Sequence, residues 1–140
     1  MANKETKIDL GNGAAIEINK FGSKLWRLNG KLHRTDGPAV EYADGNKWWY
    51  LNGKRHRTDG PAIEDANGSK SWYINGKQHR TDGPAIELAN GHKEWYLNGE
   101  RHRTDGPAIE YTNGDKWWCI NGIQYSEEDF NIIKEILWAI

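Results

Sequence analysis

Apolar residues gather along this chain in short runs, each closed by a two-residue turn signal. The run Lys47-Trp48-Trp49-Tyr50-Leu51 closes on Asn52-Gly53, and Pro38-Ala39-Val40-Glu41-Tyr42 closes on Asp44-Gly45. Short runs of this kind, rich in aromatic and aliphatic residues and set between Asn-Gly or Asp-Gly pairs, predict antiparallel strands joined by tight hairpins. The signal recurs at Asn67-Gly68, Asn90-Gly91 and Asn113-Gly114, and at the Asn-Gly pairs starting at Asn29, Asn52, Asn75, Asn98 and Asn121. Such pairs favour type I′ turns, in which both central residues take positive φ.

The runs return with a period of 23 residues. His-Arg-Thr-Asp-Gly-Pro-Ala begins at His33, His56, His79 and His102, and Trp26, Trp49, Trp72, Trp95 and Trp118 keep the same step. A self-similar unit of this size marks an array whose copies lean on one another, so no single copy is expected to fold alone. Gly13-Ala14-Ala15-Ile16-Glu17 is a worn first copy, and after Asn121-Gly122 the phrase is lost. The chain divides into an N-terminal strand or tail (1–11), the array (12–125) and a C-terminal segment (126–140).

Treating Asp44-Gly45 as a two-residue loop sets Val40 opposite Trp49, and Asn52-Gly53 then sets Trp49 opposite His56. The other face carries Glu41, Trp48, Tyr50, Arg55 and Arg57. The Trp49 face hardly varies between copies, whereas the Trp48 position reads Leu25, Trp48, Ser71, Glu94 and Trp117. One face therefore reads as core and the other as display. Because Tyr, Trp and Arg are enriched at binding hot spots, the candidate binding residues are Arg34, Arg57, Arg80, Arg103, Trp48, Tyr50, Tyr73, Tyr96 and Trp117. An odd period needs an odd number of face reversals; two turns supply two, so a third is expected in Thr58-Asp59-Gly60-Pro61, with Asp59 accepting backbone N–H groups.

The last segment changes period. Ser126 followed by Glu127, Glu128 and Asp129 is a helix start. Phe130, Ile133, Ile136, Leu137 and Ile140 then recur at helical spacing, with Ile132 and Trp138 widening the apolar face. The helix is expected to cap the sheet. At ~1.5 Å per residue it is about 22 Å long and leaves part of the tryptophan stripe uncovered, so association through Phe130, Ile133, Leu137 and Trp138, with a homodimer favoured, is also expected.

Net charge is −1, with 19 Lys plus Arg against 20 Asp plus Glu, which offers little to nucleic acid or to an acidic membrane surface. The single cysteine, Cys119, excludes an internal disulfide. No apolar run is long enough to span a bilayer, and Met-Ala-Asn-Lys-Glu-Thr-Lys carries no apolar stretch, so a cytoplasmic location is expected. Equal copies of His-Arg-Thr-Asp on successive repeats do not make the single converging constellation that catalysis needs. No enzyme activity, metal or cofactor is expected.

The run from Tyr42 to His56, Tyr-Ala-Asp-Gly-Asn-Lys-Trp-Trp-Tyr-Leu-Asn-Gly-Lys-Arg-His, resembles the MORN repeat, over roughly residues 12 to 125. It departs at Arg34, Arg57, Arg80 and Arg103, which stand where that family usually has glycine. This variant is similar to repeat proteins of bacteria and tailed bacteriophages. The resemblance implies an all-β repeat fold, an elongated twisted antiparallel meander of stacked hairpins with the helix as its cap, used for protein association. Two functions follow as expectations. The first is a protein-interaction module, such as a bacteriophage accessory protein that binds and inhibits a host protein. The second is a binder of an anionic small molecule, a nucleotide signal or a phosphoinositide headgroup, through the Arg and His rows.

Overall fold

At Asn52-Gly53 the backbone takes φ of 48° and 80°, and the Asn-Gly pairs at Asn29, Asn75, Asn98 and Asn121 repeat it. These are the expected type I′ turns, matched to the right-handed twist of the strands they join. The computed structural model describes residues 4–139, and the reading of Ile140 as part of the helix face lies outside them. The chain is an array of antiparallel hairpins followed by one helix, Glu127–Trp138. It separates into two compact units, Met1–Gly76 and Lys77–Ile140.

In the first unit the sheet runs in chain order through Thr6–Gly11, Ala14–Ile18, Lys24–Leu28, Val40–Glu41, Lys47–Trp48, Ile63–Glu64 and Lys70–Ser71. Two strands are added per repeat. The side hairpin Tyr50–Leu51 with Lys54–Arg55 stands off this ladder. Trp49 is the joint between the two: its N–H donates to the Ala62 carbonyl at 2.7 Å, and its carbonyl accepts the His56 N–H at 3.1 Å. The second unit repeats the plan with Ile86–Glu87, Lys93–Glu94, Ile109–Glu110 and Lys116–Ile120, ending on Ile123–Tyr125. Ala39, Ala62, Ala85 and Ala108 are fully buried, which explains why the phrase ends in a residue with so small a side chain.

The second turn of each repeat differs from expectation. Gly45 has φ 98°, but Asp44 keeps negative φ. Tyr42 N–H donates to Asn46 O at 2.9 Å and Gly45 N–H to Tyr42 O at 3.0 Å, so the loop holds three residues, Ala43 to Gly45. A type I turn followed by a left-handed glycine is the usual three-residue hairpin. The extra residue shifts the register by one, so Val40 pairs with Trp48, not Trp49, and Trp48 pairs in turn with Ile63. Val40 therefore lies on the variable face. A three-residue loop adds no face reversal, so the type I′ turn alone satisfies the odd period. Thr58 to Gly60 do form bends, but parity does not require a reversal there.

The helix begins as expected: the Ser126 hydroxyl accepts the Asp129 N–H at 3.1 Å, and three acids occupy the first turn. Phe130 is the buried residue of the helix, which packs on the last two strands of its unit. This corrects the placement of Phe130 on an open association surface. Among the described residues no helix is long and apolar enough to cross a membrane.

Candidate functional site

One face of the array is built by the invariant phrase. The Arg57 guanidinium lies over the Trp49 ring, 3.9 Å from its centroid. Its Nε donates to Asp59 Oδ1 at 3.0 Å, and Nη1 donates to the Pro61 carbonyl at 3.0 Å and to Glu64 Oε1 at 2.8 Å. Arg34 repeats this over Trp26 with Asp36, Pro38 and Glu41, and Arg103 over Trp95 with Asp105, Pro107 and Glu110. Arg80 makes the same bonds to Asp82, Pro84 and Glu87. The expected position of the arginine row, opposite the tryptophans, is thus corrected: Arg34, Arg57 and Arg103 cover indoles expected to need a helix or a partner. The Asp59 carboxylate binds arginine instead of backbone N–H groups, and its side chain is 84% exposed. Hydrogen bonds from Arg34, Arg80 and Arg103 hold the carboxyls of Asp36, Asp82 and Asp105 below the usual range.

This arrangement accounts for the glycine in the phrase. Gly60 has no positive φ, yet a Cβ placed there would meet the Arg57 guanidinium carbon at 2.9 Å, and the distance at Gly106 from Arg103 is 2.8 Å. The glycine leaves room for the arginine. The histidine is equally fixed, because His33, His56, His79 and His102 each accept at Nδ1, at 3.0 Å, the N–H of the asparagine that opens the next type I′ turn.

The opposite face carries the variation between copies. In the first unit Tyr42 meets Trp48 edge-on at 5.0 Å, Arg55 lies 5.2 Å from the Trp48 ring and 5.4 Å from the Tyr73 ring, and Arg55 Nε donates to Tyr50 Oη at 3.2 Å. Burial opposes the charge on Arg55, but the Tyr50 and Tyr73 hydroxyls together outweigh it and the net shift is upward. Trp48 Nε1 is buried with no hydrogen-bond partner among the described residues. In the second unit the corresponding places hold a polar network. His92 Nε2 lies 2.7 Å from Glu94 Oε1, Tyr96 Oη donates to Glu94 Oε2 at 2.8 Å, and Arg101 Nε donates to Tyr96 Oη at 3.1 Å. Trp117 and Tyr111 border it. Burial works against the Glu94 carboxylate, but His92, Tyr96 and Arg101 prevail and lower its pKa. Burial also raises the neighbouring Cys119 thiol.

The structure thus divides the nine candidate binding residues. Trp48, Tyr50 and Tyr73 stay together on the variable face of one unit, and Tyr96 and Trp117 on that of the other, while the four arginines belong to the tryptophan face. Arg55, Arg101, His92 and Glu94 join the aromatics. The sequence itself places Arg55 on this face; the signal for His92 and Glu94 is their alternation with Tyr96, which sets three polar-tipped side chains on one side of the extended chain. The helix shows a second exposed surface, with Ile132, Ile136, Leu137 and Trp138 open to solvent and Ile133 half-buried.

No protein-family model and no curated protein matches this chain.

Proposed function

We propose that this chain is a non-enzymatic protein-interaction module that engages its partner through the variable face. The observation that carries this reading is the confinement of copy-to-copy variation to one side. Leu25, Trp48, Ser71, Glu94 and Trp117 occupy one repeat position, each paired with an aliphatic residue that changes only between Val and Ile. A position that served packing alone would show one preferred residue. Half-buried Trp and Tyr with arginines between them supply rigid contact area and charge-assisted hydrogen bonds. A role as a bacteriophage accessory protein acting on a host protein fits the resemblance noted above.

The second expectation, an anionic ligand held by the Arg and His rows, receives less support. The guanidiniums already serve carboxylates and carbonyls, and the imidazole Nδ1 atoms serve turns. Self-association through the open side of the helix is the proposed assembly, with Ile132, Ile136, Leu137 and Trp138 as its contacts.

The test uses a substitution that the array itself tolerates. Serine stands at the third copy of the Trp48 position, so Trp48→Ser with Trp117→Ser is expected to fold. Affinity capture from the native cell with cross-linking should recover one protein with the original chain and lose it with the double variant. Equal recovery by both would remove the variable face from the proposal.

A further inference from the structure

We infer that in each unit the groove between its two Arg-Thr-Asp loops, on the face opposite the proposed protein-binding surface, is a subsite for an extended β-1,4-linked glycan. In the first unit a groove of about 440 Å³ is lined by Asp36, Trp49, Leu51, His56, Thr58 and Asp59. In the second unit the same repeat positions, Asp82, Trp95, Leu97, His102, Thr104 and Asp105, line one of about 510 Å³. The groove is therefore a product of the repeated phrase and not an accident of one loop.

Its chemistry is specific. Each Asp uses Oδ1 for its arginine, and Oδ2 has no partner among the described residues. Since His56 Nδ1 accepts a backbone N–H, the ring proton sits on Nε2, which becomes a donor in a groove that His56 lines. The Thr58 hydroxyl both donates and accepts. An unpaired acceptor, a donor and a hydroxyl beside a leucine, with the Arg57-covered Trp49 in the groove wall, match a pyranose, whose rim is hydroxyl and whose ring faces are C–H. An anion would meet the carboxylates first, because the arginines that line the groove are already paired with them. A purely apolar ligand would bury those carboxylates.

The spacing selects a polymer. Val40, Trp48 and Ile63 lie on successive strands, so equivalent points in consecutive repeats are two strands apart, roughly 10 Å at ~4.8 Å per strand. That is the length of one disaccharide in a fully extended β-1,4 glycan. Alternate sugars in such a chain are turned by half a turn, so every second residue presents the same edge. Asp36 and Asp59 thus meet chemically equivalent hydroxyls of one chain.

The test titrates the full chain with cellohexaose and with chitohexaose, reading heat and tryptophan fluorescence, with glucose and N-acetylglucosamine as single-residue controls. Saturable binding of at least one hexaose is expected, at least tenfold tighter than its monosaccharide. The two hexaoses separate plain from N-acetylated chains. Replacing Asp36, Asp59, Asp82 and Asp105 together by Asn keeps the acceptor for arginine and should weaken binding at least tenfold. If that variant melts early, Thr58→Val with Thr104→Val serves, and a threefold or greater loss is expected. No response to either hexaose at millimolar concentration, or unchanged affinity in a folded variant, overturns the inference.

Discussion

The imidazole Nδ1 of His56 accepts the backbone N–H of Asn75, nineteen residues further on, at 3.0 Å. One repeat thereby closes the turn of the next, which gives the histidine a structural task in every copy. His56→Ala should leave that N–H to water and cost about 1 kcal/mol. Urea melts would show a lower midpoint with an unchanged slope. A change in slope instead would indicate that the turn itself had opened.

Gly60 and Arg57 make a second coupled pair. Gly60→Ala should push the guanidinium off Trp49, because the new methyl falls 2.9 Å from its central carbon. Arg57→Ala removes a cation–π contact and the bonds to Glu64 and Pro61, at a cost of about 2 kcal/mol or more. The double variant should be hardly worse than Arg57→Ala alone. Additive losses in a double-mutant cycle would show that the glycine serves the backbone rather than the arginine.

Asp59 should behave differently from its arginine. Its carboxylate is 84% exposed, and an exposed ion pair contributes little. Asp59→Ala is therefore expected to cost less than ~1 kcal/mol. A loss comparable to that of Arg57→Ala, measured under the same conditions, would contradict this ranking.

How much of this was legible in the sequence depends on whether one residue or a register decided the matter. Asn52-Gly53 was readable because positive φ at both positions selects its turn chemistry. Ser126 was readable because a cap and three acids act within one helical turn. Asp44-Gly45 was not, since the same dipeptide closes two-residue and three-residue loops, and the single-residue difference carries Val40 to the other face. The Arg57–Trp49 stack depends on that register and on a bend at Gly60, so neither residue announces it alone. The His92–Glu94–Tyr96 network was half legible: alternation places the three together, but Arg101, which donates to the Tyr96 hydroxyl, arrives from the partner strand.

Glu94 gives a pH prediction. Its folded pKa is lowered from the ordinary 4.5, so the unfolded chain takes up the proton first as pH falls. The stabilisation is complete above that ordinary value and is lost progressively as pH drops below it towards the lowered one. Glu94→Gln should abolish this part of the acid limb while leaving the melting temperature at lower pH closer to that of the original chain. Parallel acid limbs for both proteins would mean that the network does not respond to the Glu94 proton.

The helix supplies the last prediction, through the contrast between Phe130, 1% exposed, and Trp138, 75% exposed. Phe130 holds the helix to its unit, and Phe130→Ala should cost about 3–5 kcal/mol, as large-to-small changes in cores do. Ile132 and Ile136 lie one turn apart on the open side, with Leu137 and Trp138 beside them, so they form a stripe that water meets directly. If this stripe joins two copies, Ile136→Lys should convert a dimer into a monomer in sedimentation velocity without lowering the melting temperature of dilute protein. Buried charge disrupts a contact between copies but costs nothing on a surface already wet. A chain that sediments as a monomer at every concentration, with Ile136→Lys indistinguishable from it, would assign the stripe to a different protein or to none.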